Sequence, residues 1–96
     1  MEKAEKKEKT YHDLERIIKG VANHRRVEIL ELLGKKPEMS VTEIADKLKL
    51  NFKTASEHIR RLAISGLLMK RSNGHNVRHK LTKRGELILK FLRILE

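Results

Sequence analysis

Four residues, Leu48 to Asn51 ("LKLN"), restrict the possible folds of this chain more than any other stretch. Before them, Ser40 and Glu43 form a serine-x-x-glutamate capping box. It opens a short helix to about Lys49, with Ile44, Ala45 and Leu48 on one side. After them, Asn51 caps a longer helix that ends near Gly66. On that helix Ala55, Ile59, Leu62 and Ala63 point one way, flanked by Phe52 and His58. Lys53, Ser56, Glu57 and Arg60 point the other way, with Thr54 and Arg61 beside them. Two helices with almost no linker between them form a helix-turn-helix signal.

The remaining segments are built around that corner. Thr10 and Asp13 make a second capping box, opening a helix with Tyr11, Leu14, Ile17, Ile18 and Val21 at helical spacing and Gly20 marking its end. Asn23 caps a helix from His24 to about Leu33, with Val27, Leu30 and Leu33 inward and Gly34 and Pro37 as stops. The stretch "LLMKRSNGHNVRHKL" has the pattern of a β-hairpin. A two-residue Asn73-Gly74 loop would set Met69 opposite Arg78 and mix the faces. A three-residue Ser72-Asn73-Gly74 loop sets Met69 opposite Val77 and Leu67 opposite His79. It leaves Lys70, Arg78 and Lys80 on the other face, so this register is preferred.

Thr82 caps a last helix, Lys83 to Leu95. Its polar residues Glu86, Lys90 and Arg93 span only about 60° of the wheel. Packing on one side of a domain needs an apolar stripe of about 100°, and here the apolar arc is roughly twice that. The surplus predicts a second copy of the chain, meeting Tyr11, Leu14, Ile18, Leu87, Ile88, Phe91, Leu92 and Leu95. A helix clasped inside a monomer by the first helix is the alternative. The expected fold is mainly α with a small β-hairpin, a winged helix-turn-helix with an additional C-terminal dimerisation helix. Residues 10–96 form this domain, behind a charged, disordered tail at residues 1–9.

Charge is pooled rather than spread. Of the net +10, residues 51–84 hold +8: nine Lys and Arg against Glu57 alone. A block of one sign on a folded surface predicts a polyanionic partner, double-stranded DNA first. A helix fits the major groove and meets base edges with its N-terminal half, so Lys53, Thr54, Ser56 and Glu57 are base-reading candidates. Arg60 and Arg61, further along, suit phosphate or guanine. Glu57 is compatible with accepting from a cytosine amino group.

Other chemistry is excluded or unsupported. The chain has no cysteine, which rules out disulfides and thiolate catalysis. Its glycines are isolated, so there is no phosphate-cradling loop, and no carboxylate pair sits in an apolar setting; an enzyme is not expected. The five histidines lie on different elements, and His75 and His79, on one strand, would stand about 13 Å apart, so neither a metal nor any other cofactor is predicted. No apolar run is long enough to span a membrane, and no secretory signal opens the chain, so a cytoplasmic, nucleoid-associated location is expected.

Taken together, these segments resemble the ArsR family of transcriptional regulators. "GVANHRRVEILELL" is similar to the helix that opens ArsR repressor domains. "SVTEIADKLKLNFKTASEHIRRLAISGLL" resembles their helix-turn-helix, and "KLTKRGELIL" their exit from the wing into the dimerisation helix. The resemblance implies a homodimeric, sequence-specific regulator, a repressor by expectation. Its recognition helix, about residues 52–65, would enter the major groove, and its wing, about residues 67–81, would lie on the minor groove or the backbone. It places Phe52, Lys53, Thr54, Ser56 and Glu57 at base-reading positions and Arg60 at a basic position. It sets the wing tip, Ser72 to His75, near the minor groove; with Arg61, Arg71, Asn73, His75 and Arg78 this completes the predicted DNA-binding set. Many ArsR members sense metals through Cys-x-Cys on the first helix of the helix-turn-helix, where this chain has Glu43, Ala45 and Asp46. Others use His on the last helix, which has none here, so metal sensing is not expected and any small-molecule effector is unspecified. The competing readings are a winged-helix adaptor for protein or structured RNA, and a sequence-tolerant chromosome-coating protein.

Overall fold

The computed structural model describes residues 9–96, with Asn73 described by its backbone alone; all but the last residue of the expected tail lies outside the described residues. The elements run α1 (Tyr11–Val21), α2 (His24–Lys35), α3 (Val41–Leu48), α4 (Phe52–Ile64), β1 (Leu68–Asn73), β2 (Asn76–Leu81) and α5 (Lys83–Ile94). This is the winged helix-turn-helix with an added C-terminal helix that the sequence predicts.

Side-chain caps start every helix. Thr10 and Asp13 exchange hydrogen bonds of 3.2 and 3.0 Å at α1. Asn23 accepts from the Arg25 and Arg26 amides at α2, and Asn51 from the Thr54 amide at 2.7 Å at α4. Ser40 and Glu43 exchange bonds of 2.9 and 3.1 Å at α3, and Thr82 accepts from the Gly85 amide at α5. These bonds satisfy amides that each first turn leaves without an intrahelical partner.

Two helices run further than expected. Gly34 lies inside α2 rather than stopping it, and α5 packs so closely there that a β-carbon would stand 2.6 Å from Leu89 Cδ2. Gly20 lies inside α1, against Ser65.

The core is one cluster that draws on every element. Ile29, Leu30 and Leu33 of α2, Ile44 of α3, Ile59 and Leu62 of α4, Leu67 and Leu68 leading into the hairpin, Leu81 and Leu89 are all buried. Met39, in the α2–α3 connection, joins them by pairing with β2. It exchanges two backbone hydrogen bonds with His79, at 3.1 and 2.8 Å, so its segment lies beside the hairpin as a one-residue third strand.

The hairpin register departs from both sequence readings. Leu68 pairs with Leu81, Met69 with Lys80, Lys70 with His79, Arg71 with Arg78 and Ser72 with Val77. The loop is Gly74-His75, with Gly74 at φ +65°, the left-handed conformation a glycine supplies in a tight two-residue hairpin loop. Consequently Lys70 shares a side with His79, whereas Arg78 and Lys80 share the other side with Met69. The expected grouping of Lys70 with Arg78 and Lys80 is therefore wrong. Apolar and cationic side chains are not sorted onto separate faces along the whole hairpin. Only its base touches the core, through Leu68, Leu81 and His79, while Met69 and Val77 are exposed.

His79 is fully buried on the inner face, as the sequence suggests, and its Nδ1 lies 3.2 Å from the Met39 carbonyl, which requires the Nδ1–H tautomer. Burial pushes its pKa below the ordinary histidine value, and the bond to Met39 opposes that only in part.

Two predictions follow from this packing. In the Gly85→Ala variant the new β-carbon would run into the Leu67 carbonyl, so urea unfolding should show a loss of about 1–3 kcal/mol. The second concerns pH. A base whose folded pKa is depressed costs no stability above its unfolded value of 6.5, but costs stability as pH falls below it, because the unfolded chain takes up the proton first. The urea midpoint should therefore drop between pH 7 and pH 5, and His79→Leu should flatten that drop.

Candidate nucleic-acid interface

The helix-turn-helix corner is set by one backbone choice. α3 ends with Lys49 in the left-handed conformation, φ 57° and ψ 47°, and the Leu50 amide turns back to the Ala45 carbonyl at 2.9 Å. Asn51 then starts α4 at once. A left-handed lysine costs about 1 kcal/mol, which the burial of Ile44, Ala45, Ala55 and Ile59 around the corner offsets.

α4 buries Ala55, Ile59 and Leu62 and leaves Phe52, Lys53, Arg60 and Arg61 exposed, with Thr54, Ser56 and Glu57 partly exposed. Every α4 residue predicted from sequence therefore lies off the buried side. The helix has no acid in its first turn, so its N-terminal dipole adds to the positive field.

The structure also gives these charges partners that sequence alone did not assign. Glu57 Oε1 accepts from Arg60 Nε at 3.1 Å. Its Oε2 accepts from Arg60 Nη2 and Arg61 Nε at 3.0 Å each. The hydrogen bonds from the two guanidiniums lower its pKa to about 2, so Glu57 is a carboxylate throughout the neutral range. On the hairpin, Arg71 and Arg78 stand directly opposite one another, and each has its own acid. Arg71 pairs with Glu38 at 3.3 Å, and Arg78 Nη2 reaches Glu43 Oε1 at 3.2 Å. Glu38 sits at φ 68°, a strained conformation for a non-glycine, in the connection that Met39 pins to β2. Glu43 is held below the ordinary carboxylate range by its Ser40 backbone bond first and by Arg78 after it. His75 is exposed in the hairpin loop.

A second basic cluster, not predicted for the site, lies at the start of α2. His24, Arg25 and Arg26 occupy a first turn that contains no acid. Arg25 reaches the Leu48 carbonyl at 3.4 Å, at the end of α3. Arg26 stands 3.3 Å from His58 Nδ1 on α4 and 3.5 Å from the Lys19 carbonyl on α1, so it ties three helices together. His58 is pushed down by burial and then by the Arg26 charge, which suits a neutral ring accepting at Nδ1. Three bases at a helix N-terminus run against the macrodipole, and that was the available signal.

Away from this surface, α1 exposes Tyr11, Leu14 and Ile18, α5 exposes Leu87, Phe91 and Ile94, and Leu95 just after it is exposed as well. Ile88 and Leu92, also expected at a dimer contact, are half-buried against the core of their own chain. No described helix is long and apolar enough to cross a membrane. Among the described residues no group of three or more histidines and carboxylates could hold a metal ion.

The family model for the arsR family of bacterial regulatory proteins matches residues 23–70 of the chain. A transcriptional regulator, HlyU, from Vibrio vulnificus is 30% identical with a TM-score of 0.72, the match covering 88% of each chain. The homodimeric winged helix-turn-helix DNA-binding domain of a possible ArsR-family regulator from Mycobacterium bovis is 27% identical with a TM-score of 0.80, over 88% of this chain and 78% of that one. The transcriptional repressor PagR of Bacillus anthracis is 27% identical with a TM-score of 0.76, over 84% of this chain and 93% of that one. No curated protein matches the sequence.

Proposed function

Because this chain belongs to the arsR family of bacterial regulatory proteins, we propose that it is a sequence-specific, double-stranded DNA-binding transcriptional repressor that works as a homodimer. The observation that carries this reading is the two-sidedness of α4. One side is sealed into the core, and the other offers Lys53, Thr54, Ser56, Glu57, Arg60 and Arg61 on a helix with a positive N-terminus. In this reading Phe52, Lys53, Thr54 and Ser56 face base edges in the major groove. Arg60 and Arg61 serve phosphate or guanine. Arg71, Asn73, His75 and Arg78 of the wing lie on the minor groove or backbone. Repression by occupancy is supported by the likeness to a solved repressor. A protein with this role acts on the nucleoid, in the cytoplasm.

A homodimer is supported by the exposed apolar faces of α1 and α5, with Phe91 52% and Leu87 58% exposed. Two-fold pairing through these helices would present α4 twice, matching a two-fold operator.

Two measurements test the reading. Duplex binding across a salt series should give a log K against log[salt] slope of about −4 or steeper, since each neutralised phosphate contributes about −0.9. A flat slope refutes phosphate neutralisation, equal affinity for all duplexes points to a coating protein, and preference for RNA points to an adaptor. Separately, Phe91→Glu should shift sedimentation to the monomer with an unchanged helical spectrum, and weaken duplex binding at least tenfold through lost two-site attachment.

A further inference from the structure

Resting on the DNA-binding reading, we propose that Glu57 is a specificity-determining residue, an internal stand-in for DNA that keeps Arg60 and Arg61 from gripping arbitrary sequences. Three observations carry it. First, Glu57 is the single acid in the segment that holds nine of the chain's cations, and it stands on the outward side of the recognition helix. Second, both its oxygens are engaged, and among the described residues only by the two arginines best placed for phosphate, through three hydrogen bonds. Third, among the described residues it makes no other hydrogen bond or ion pair. Glu43 illustrates the contrast, because the oxygen that meets Arg78 also caps the Ser40 amide at 2.9 Å. Glu57 caps nothing, and exposed ion pairs along a helix add little stability.

The consequence is an asymmetry between sequences. A phosphate that recruits Arg60 or Arg61 on arbitrary DNA must displace a carboxylate, which is left near the backbone with no donor. On an operator that presents a base amino group in the groove, the same carboxylate gains a donor as it releases the arginines. The wrong duplex is penalised and the right one is not, which is discrimination by an unpaired charge.

The test uses the full chain, an operator selected by the wild-type protein from random duplexes, and a scrambled duplex of equal length. Glu57→Gln should raise affinity for the scrambled duplex about threefold to tenfold and steepen its salt slope by about one, while operator affinity stays level or falls. Glu31→Gln changes the net charge equally, at a pair with Arg93 that joins α2 to α5 and includes no α4 residue, and should move neither affinity by more than about twofold. If Glu57→Gln leaves the operator-to-scrambled ratio unchanged, or matches Glu31→Gln, Glu57 is only a helix-surface ion pair and the inference fails. A wild-type protein that binds no duplex would remove the DNA-binding reading itself, a separate outcome.

Discussion

Lys49 in its left-handed conformation is the constraint on which the rest of the molecule depends. It lets α3 end and α4 begin within three residues, with the Leu50 amide turned back to the Ala45 carbonyl, which makes the helix-turn-helix corner. Once that corner exists, Ile44 and Ala45 on one arm and Ala55, Ile59 and Leu62 on the other face inward. The polar side of α4 then has nowhere to point but outward. The function proposed for the chain is a consequence of that geometry, since a helix held at its N-terminus by a rigid corner can be offered to a groove without bending.

The corner alone would leave a cationic surface under self-repulsion, and the chain relieves this with three carboxylates placed by different means. Glu57 reaches its arginines along one helix. Glu43 reaches Arg78 from the N-terminal turn of α3. Glu38 reaches Arg71 from a strained backbone position held by the Met39–His79 bridge. Like charges directly opposite across a hairpin are unfavourable, so Arg71 and Arg78 would destabilise the wing without the acids. On the wing the same arrangement leaves Arg71 and Arg78 available, because exposed pairs of this kind are weak enough for a phosphate to replace them.

What could be read from the sequence and what could not divides along contact order. Each helix start was legible because caps act over two or three residues: Thr10 with Asp13, Asn23, Ser40 with Glu43, Asn51 and Thr82 all perform as their spacing suggests. The buried and exposed sides of α4 were legible for the same reason. The hairpin register was not, since β2 also pairs with Met39, far away in the sequence, and Gly74 starts the loop rather than ending it. Nor were the partners of Arg71 and Arg78, which come from other elements. The Glu57 pairs were within reach of an i, i+3 and i, i+4 reading of the helix, alongside the base-reading role that its outward position suggests.

The last helix shows how packing leaves an unsolved face. Two close approaches hold α5 in one orientation: Gly34 of α2 against Leu89, and Gly85 against the Leu67 carbonyl. With Leu89 buried and Ile88 and Leu92 against the core, the helix cannot roll to hide Leu87, Phe91, Ile94 and Leu95 without losing those contacts. α1 cannot cover them either while its own apolar residues Tyr11, Leu14 and Ile18 also stay exposed. Two exposed apolar faces on one small chain are best satisfied by the same faces on a second copy. A rigid α5 would also carry the spacing of the two recognition helices from one copy to the other.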